Sequence, residues 1–352
     1  MFRDRVEHRW VETFVTALEY CKVEAGEEVA ILSETQSREL NVHLTELALL
    51  RLGARPFHVV MPTPPQSAPV PVRSTGASNV VQGLGPVVKA LSECTMVVDL
   101  TVEGMLHAPE LPGIIENGAR LFMVSNEHPD ALERLLPDPV LTEKVKAAVK
   151  KIRGAKEMTV HSDAGTDLQI AIEGAPSAGV WGYCDRPKTV AHWPGGIVVA
   201  FPPANSVNGT LVLDVGDVNL TFKRYLQDPV TLTIENDFVT GIEGAGTDAE
   251  LFRRYMAAWD DRNAYGVSHV GWGLNPAARY EAMTMYDQRD FQGTELRAFA
   301  GNFLYSTGAN EFAKRHTLGH FDIPVRNCTV ALDGENVVEK GELAGEFAEA
   351  AE

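Results

Sequence analysis

Val29-Ala30-Ile31-Leu32, then Leu40, Leu44, Leu47 and Leu50 running up to Gly53, then Phe57-His58-Val59-Val60 form the stretch that decides the fold. An unbroken apolar run suits a strand covered on both faces. Apolar residues three or four apart suit one helix face, and a glycine ends it. Strand, helix, strand in that order makes a unit whose strands lie parallel beneath the helix. Further out, Val6, Trp10, Phe14 and Leu18 predict a preceding helix, and Met96-Val97-Val98-Asp99 and Leu121-Phe122-Met123-Val124 predict two more strands. Residues 1–156 are therefore expected to form an α/β domain with a mostly parallel sheet.

The texture changes near Lys156. Met158-Thr159-Val160, Leu168-Gln169-Ile170-Ala171-Ile172, Ile197 to Phe201 and Gly209 to Val215 read as short strands between turns, and Glu235-Asn236-Asp237 reads as a hairpin connection. A helix is expected from Asp248 to Trp259. Residues 157–352 are expected to form an α+β domain with a largely antiparallel sheet, closed by an acidic, Ala-rich tail that is a solvated end or a short helix. The prolines from Pro62 to Pro71 predict a stiff loop. Gly83-Leu84-Gly85 fails the dinucleotide fingerprint because Val88 occupies its last position, and there is no Walker sequence, so phosphate cofactors have little support.

With 352 residues, 45% apolar and 22% charged, the chain has the composition of a soluble globular protein of two domains. A formal charge of −17 argues against binding nucleic acid or anionic membrane, since phosphate attracts the opposite sign. The N-terminus lacks the apolar core of a secretory signal, no apolar run reaches spanning length, and Cys21, Cys94, Cys184 and Cys328 are too scattered for a zinc ribbon or redox dithiol. A cytoplasmic protein with reduced core thiols is expected, assembled as a homo-oligomer of unspecified size.

The chemistry gathers late in the chain. In an extended strand His320 and Asp322 leave the same face while Phe321 points away, and His269 would complete a two-histidine, one-carboxylate set. Such a set leaves coordination positions open and suits a mononuclear non-haem Fe(II) oxygenase. Spacing alone equally allows a structural pair. The glycines around Tyr265 to Asn275 and Gly301 to Gly308 suggest close backbone approach about a buried site.

Long stretches in order, from His192-Trp193-Pro194 through Gly209 to Asp217, from Tyr265 to Asn275, from Gly301 to Gly308 and from His320 to Cys328, resemble the 2,5-dihydroxypyridine 5,6-dioxygenase family over nearly the whole chain. The resemblance implies a ring-cleaving enzyme that uses Fe(II) and O2 to open a small aromatic N-heterocycle between C5 and C6, giving N-formylmaleamate in nicotinate-type catabolism. It implies ligands at His269, His320 and Asp322, pocket histidines at His107 and His192 and a substrate contact at Ser306. The two pocket histidines would move protons, their ordinary pKa of about 6.5 lying near neutrality. Arg326 is a candidate to orient Asp322. The family is similar in turn to aminopeptidase T metallopeptidases. Ile197 and His269 stand where those have metal-binding glutamates, so the rival reading, a two-metal hydrolase, lacks its second ion's ligands.

Overall fold

The computed structural model describes residues 5–65, 68 and 77–348. The first half builds a five-stranded parallel sheet. Arg55–Met61 lies at one edge, followed by Glu28–Glu34, Met96–Asp99, Arg120–Val124 and Val190–Trp193. The apolar run that predicted it is explained by its two covered faces. Val29 and Ile31 pack with Phe14, Leu18 and Leu44 of the helices His8–Tyr20 and Glu39–Arg51, while Ala30 and Leu32 pack with Val81, Leu91 and Ile114 on the other side.

The helix Pro139–Gly154 ends where the texture changes, and the strand Glu157–Ser162 begins the second half. The chain later returns. Residues 190–193 add a strand to the first sheet beside Arg120–Val124, with Trp193 fully buried against Phe14 and Phe122. The first sheet therefore draws one strand from beyond Lys156.

The second half holds two larger antiparallel sheets. One has eight strands, at whose centre Val207–Leu213, Asp167–Ala171, Glu157–Ser162 and Cys328–Leu332 lie side by side. The expected hairpin joins Val230–Glu235 to Phe238–Glu243 through Asn236 and Asp237, both at positive φ as a tight two-residue turn demands. The other sheet has five strands in the order Phe321–Val325, Phe303–Thr307, Val267–Gly273, Ile197–Ala200, Ser177–Val180. One face of this second sheet, through Val270, Trp272, Tyr305, Phe321 and Ile323, joins the core shared with the eight-stranded sheet. Alternation along each strand then turns Asp322, Ser306 and Leu304 to the opposite face.

The expected helix runs from Thr247 to Ala258. Residues 62–65 are irregular, whereas 66–67 and 69–71 of the proline-rich stretch lie outside the described residues. The tail forms a short 3-10 turn at Gly345–Phe347, and 349–352 lie outside the described residues. All four cysteines are buried free thiols. Among the described residues no helix is long and apolar enough to cross a membrane.

Candidate metal centre

Three neighbouring strands build the floor of the site. Ser306 pairs with Asp322 across the strands Phe303–Thr307 and Phe321–Val325, so the two side chains stand next to each other. Between Val267 and Val270 the pairing with Phe303–Thr307 slips, and this bulge sets Ser268 and His269 against one partner position. A bulge re-aims a side chain, here turning the imidazole of His269 toward Ser306 and Asp322. His320 precedes the last strand, held where Gly308 (φ +103°) crosses it; a Cβ on Gly308 would stand 2.6 Å from the His320 Cα. Only glycine suits that conformation and that approach.

The donor atoms converge. Asp322 Oδ1 lies 3.2 Å from His320 Nε2 and 3.6 Å from His269 Nε2. The Ser306 hydroxyl, fully buried, donates to Asp322 Oδ1 and lies 3.0 Å from His269 Nε2. Ser268 spends its own hydrogen on the Ala309 carbonyl, so at 3.1 Å it can only accept from His269 Nδ1–H. That fixes the tautomer and leaves His269 Nε2 as a bare lone pair. One Ser306 hydrogen thus faces two acceptors, Nε2 and Oδ1, which is the electron-rich deficit that a cation fills.

The first sheet supplies the roof. His107 follows the strand Met96–Asp99, and its ring lies 4.4 Å from that of His320 and 6.0 Å from that of His269, centre to centre. One nitrogen from each of His107, His269 and His320 can be chosen with all three inside 4.8 Å of one another. This trio includes His107, which the sequence had placed outside the ligand set, and does not include Asp322. The Nδ1 atoms of His107 and His320 are buried without a hydrogen-bond partner. His192, on the strand Val190–Trp193, donates from Nδ1 to the Pro194 carbonyl at 2.7 Å, which leaves its Nε2 with the lone pair.

Burial keeps His107, His192 and His269 neutral. It pushes His269 down to about 3 against the pull of Asp322, and His192 down to about 4 against the Pro194 carbonyl. His107 falls well below its usual value through burial and then through His320 and His269. Burial would raise Asp322, yet the Arg297 guanidinium and the neighbouring histidines hold it well below the carboxylate range.

Arg297 is the residue that sequence reasoning missed. Its Nε donates to Asp322 Oδ2 at 2.5 Å, the orienting role expected of Arg326. Arg326 instead lies over the Tyr280 ring, 4.0 Å from its centre, and its backbone N–H donates to Asp217. Arg326 follows the strand that carries Asp322 and lies beyond its end at Val325; Arg297 arrives from a short helix, Thr294–Ala298, that no periodicity marked.

Above this floor opens a cavity of about 440 Å³ lined by His107, His192, His269, His320, Asp322 and Arg297 together with apolar walls that include Phe201, Leu304 and Phe312. Ser306 sits behind the lining. Ile197 also lines the cavity. An apolar cavity with imidazoles and a carboxylate converging on its floor is suited to binding a flat aromatic molecule beside a metal.

Comparison with known proteins agrees. The family model described as 2,5-dihydroxypyridine 5,6-dioxygenase matches residues 9–345. A 2,5-dihydroxypyridine 5,6-dioxygenase of Pseudomonas putida is 37% identical over 336 residues, 94% of this chain and 95% of that protein. The solved structure of 2,5-dihydroxypyridine dioxygenase from Pseudomonas putida superposes with a TM-score of 0.91 at 35% identity, covering 98% of this chain and all of the other. Wild-type AmpT from Thermus thermophilus superposes at 0.62 with 15% identity over 96% of this chain and 99% of that one, which establishes a shared fold alone. The chain belongs to the 2,5-dihydroxypyridine 5,6-dioxygenase family.

Proposed function

We propose that this chain opens 2,5-dihydroxypyridine between C5 and C6 with O2 to give N-formylmaleamate, at one Fe(II) ion held by His269, His320 and Asp322. The observation that carries the reading is the meeting of His269 Nε2, His320 and Asp322 Oδ1 on the floor of an apolar cavity. Two imidazoles and one carboxylate fit a divalent ion that must keep positions open. A ferrous ion held by these residues would supply the activation of O2.

The chain's own groups do the rest. Arg297 fixes the outer oxygen of Asp322, so that Oδ1 alone faces the histidines. Its charge also changes the balance. With a divalent ion, Asp322 and Arg297 the site is positive, so it favours a substrate whose C5 hydroxyl has ionised. His192, with its Nδ1 hydrogen committed to Pro194, offers Nε2 as the acceptor for that proton. His107, neutral and stacked near the floor, returns a proton later in the cycle. Ser306, behind the lining, donates to Asp322 Oδ1 and so holds that oxygen toward the histidines.

The walls keep water out, and both atoms of O2 enter the product, so no external reductant is needed. Buried thiols support a cytoplasmic setting, and the exposed Phe57 and Val60 on the edge strand Arg55–Met61 support a homo-oligomer.

The test is anaerobic reconstitution with Fe(II), followed by O2 uptake on 2,5-dihydroxypyridine with a dipeptide-hydrolysis control. One O2 consumed per ring opened is expected. Dipeptide hydrolysis at two metals per chain, with no O2 uptake, would overturn the reading.

A further inference from the structure

The segment from Gln288 to Arg297 belongs to the second half but is held by the first. Arg38 pairs with Asp290 at 2.7 Å, the His128 backbone N–H donates to the Asp290 carbonyl at 2.9 Å, and Arg134 donates to Glu295 at 3.0 Å. At the centre stands Glu127, 1% exposed, in the loop after Arg120–Val124. Its Oε2 accepts the Gln292 N–H at 2.9 Å, and its Oε1 accepts those of Gly293 at 2.8 Å and Thr294 at 2.9 Å.

Three consecutive backbone donors clasped by one carboxylate fix both the place and the direction of the chain at that point. The next turn carries Arg297, whose guanidinium fixes Asp322, and Gln292, Thr294 and Arg297 all line the cavity. A neutral side chain with one acceptor could satisfy only part of this set. Keeping a carboxylate where burial pushes it up is costly, so its retention calls for a gain in geometry.

We propose that Glu127 is a positioning residue of the ring-opening reaction: it sets the segment 292–297 so that Arg297 orients Asp322, and it thereby couples the parallel-sheet half to the metal-holding sheet. This rests on the function proposed above. Glu127 itself touches neither substrate nor ion. It acts through Arg297.

The experiment is a double-mutant cycle on the Fe(II)-loaded full chain with Glu127→Gln, Arg297→Lys and both together, with Glu127→Asp as a second probe should the glutamine variant not fold. Glu127→Gln is expected to lower kcat by about 10- to 100-fold, as loss of an outer partner of a ligand does, with little change in KM. The double variant should lose no more than the worse single one, because both act on the same carboxylate. In the metal-free protein, hydrogen exchange of residues 291–298 should quicken in Glu127→Gln. Native kcat in the folded Glu127 variant, or losses that multiply in the double variant, would overturn the proposal. Should the wild type show no oxygenase turnover, the proposed function fails by itself. The same cycle read by Fe(II) affinity, together with hydrogen exchange, then decides the coupling of Glu127 to Asp322.

Discussion

The floor and the roof of the site are built differently. His269, Ser306 and Asp322 sit on three hydrogen-bonded neighbours of one antiparallel sheet, where strand register fixes their separations. His107 and His192 come from the parallel sheet, the first on a loop beyond Met96–Asp99 and the second on the returning strand Val190–Trp193. The floor suits a cation, which demands fixed ligand distances. The roof suits proton transfer, which tolerates small adjustments of a ring against a bound substrate. The cavity lies where the loop leaving a parallel strand meets the second sheet's polar face, a common place for a ligand in a layered α/β protein.

The sharpest way to break this division is to remove a floor residue. His269→Ala, His320→Ala and Asp322→Ala should each empty the site of most Fe(II) and reduce turnover beyond the roughly 100-fold of an outer-partner substitution, with the fold intact. Metal analysis and far-UV circular dichroism check it. Full metal content in His320→Ala would end the assignment.

Removing a roof residue should leave the metal. His107→Ala and His192→Ala are expected to bind Fe(II) normally and lose turnover by about 10²–10⁴-fold. Single-turnover O2 consumption with 2,5-dihydroxypyridine measures the loss. Because a nitrogen of His107 falls within the same 4.8 Å cluster as those of His269 and His320, this variant also sharpens the comparison. Metal lost on its substitution moves His107 from roof to floor.

A smaller effect belongs to Ser306, which supports the floor from behind. Ser306→Ala should cost about 10- to 100-fold in metal affinity or activity, since it deletes a hydrogen bond to a ligand oxygen and leaves the ligand in place. Titration of the apoprotein with Fe(II) against the wild type reads it, and unchanged affinity together with unchanged turnover would make the hydroxyl a packing group.

The smallest functional effect is expected at Asp99, which shapes the base of the roof loop by accepting from Thr101 and from the Met105 N–H at 2.7 Å. Burial pushes its carboxyl from the ordinary 3.8 up to about 6, so the folded protein keeps a proton that the unfolded chain has released. Stability should therefore fall as pH rises from about 4 to 6 and level off above, by an amount of about 3 kcal/mol for a two-unit shift. Asp99→Asn should remove that slope. Denaturant unfolding at several pH values would show it, and an equal slope in the variant would move the titration elsewhere.

Much of the architecture is legible in the order of residues alone. Periodicity marks the parallel strands, because burial on both faces forces continuous apolar runs, and the spacing of His320 and Asp322 points to their meeting, although His320 lies just before the strand that carries Asp322. Other features leave no local mark. The return of Val190–Trp193 to the first sheet is a choice of partner, and a short strand carries no signal of which edge it will join. The bulge at Ser268-His269 is likewise a property of pairing.

The sequence by itself determined the two kinds of sheet and the family, and put forward the candidate ligating side chains, since these follow from residue type, spacing and long ordered similarity. Only the tertiary structure decided that His107 stacks against the floor, that Arg297 rather than Arg326 holds Asp322, and that Glu127 clasps the segment carrying Arg297. Each depends on groups from about 25 to more than 200 residues apart meeting in a buried space. Chain separation hides such meetings, and burial makes them decisive.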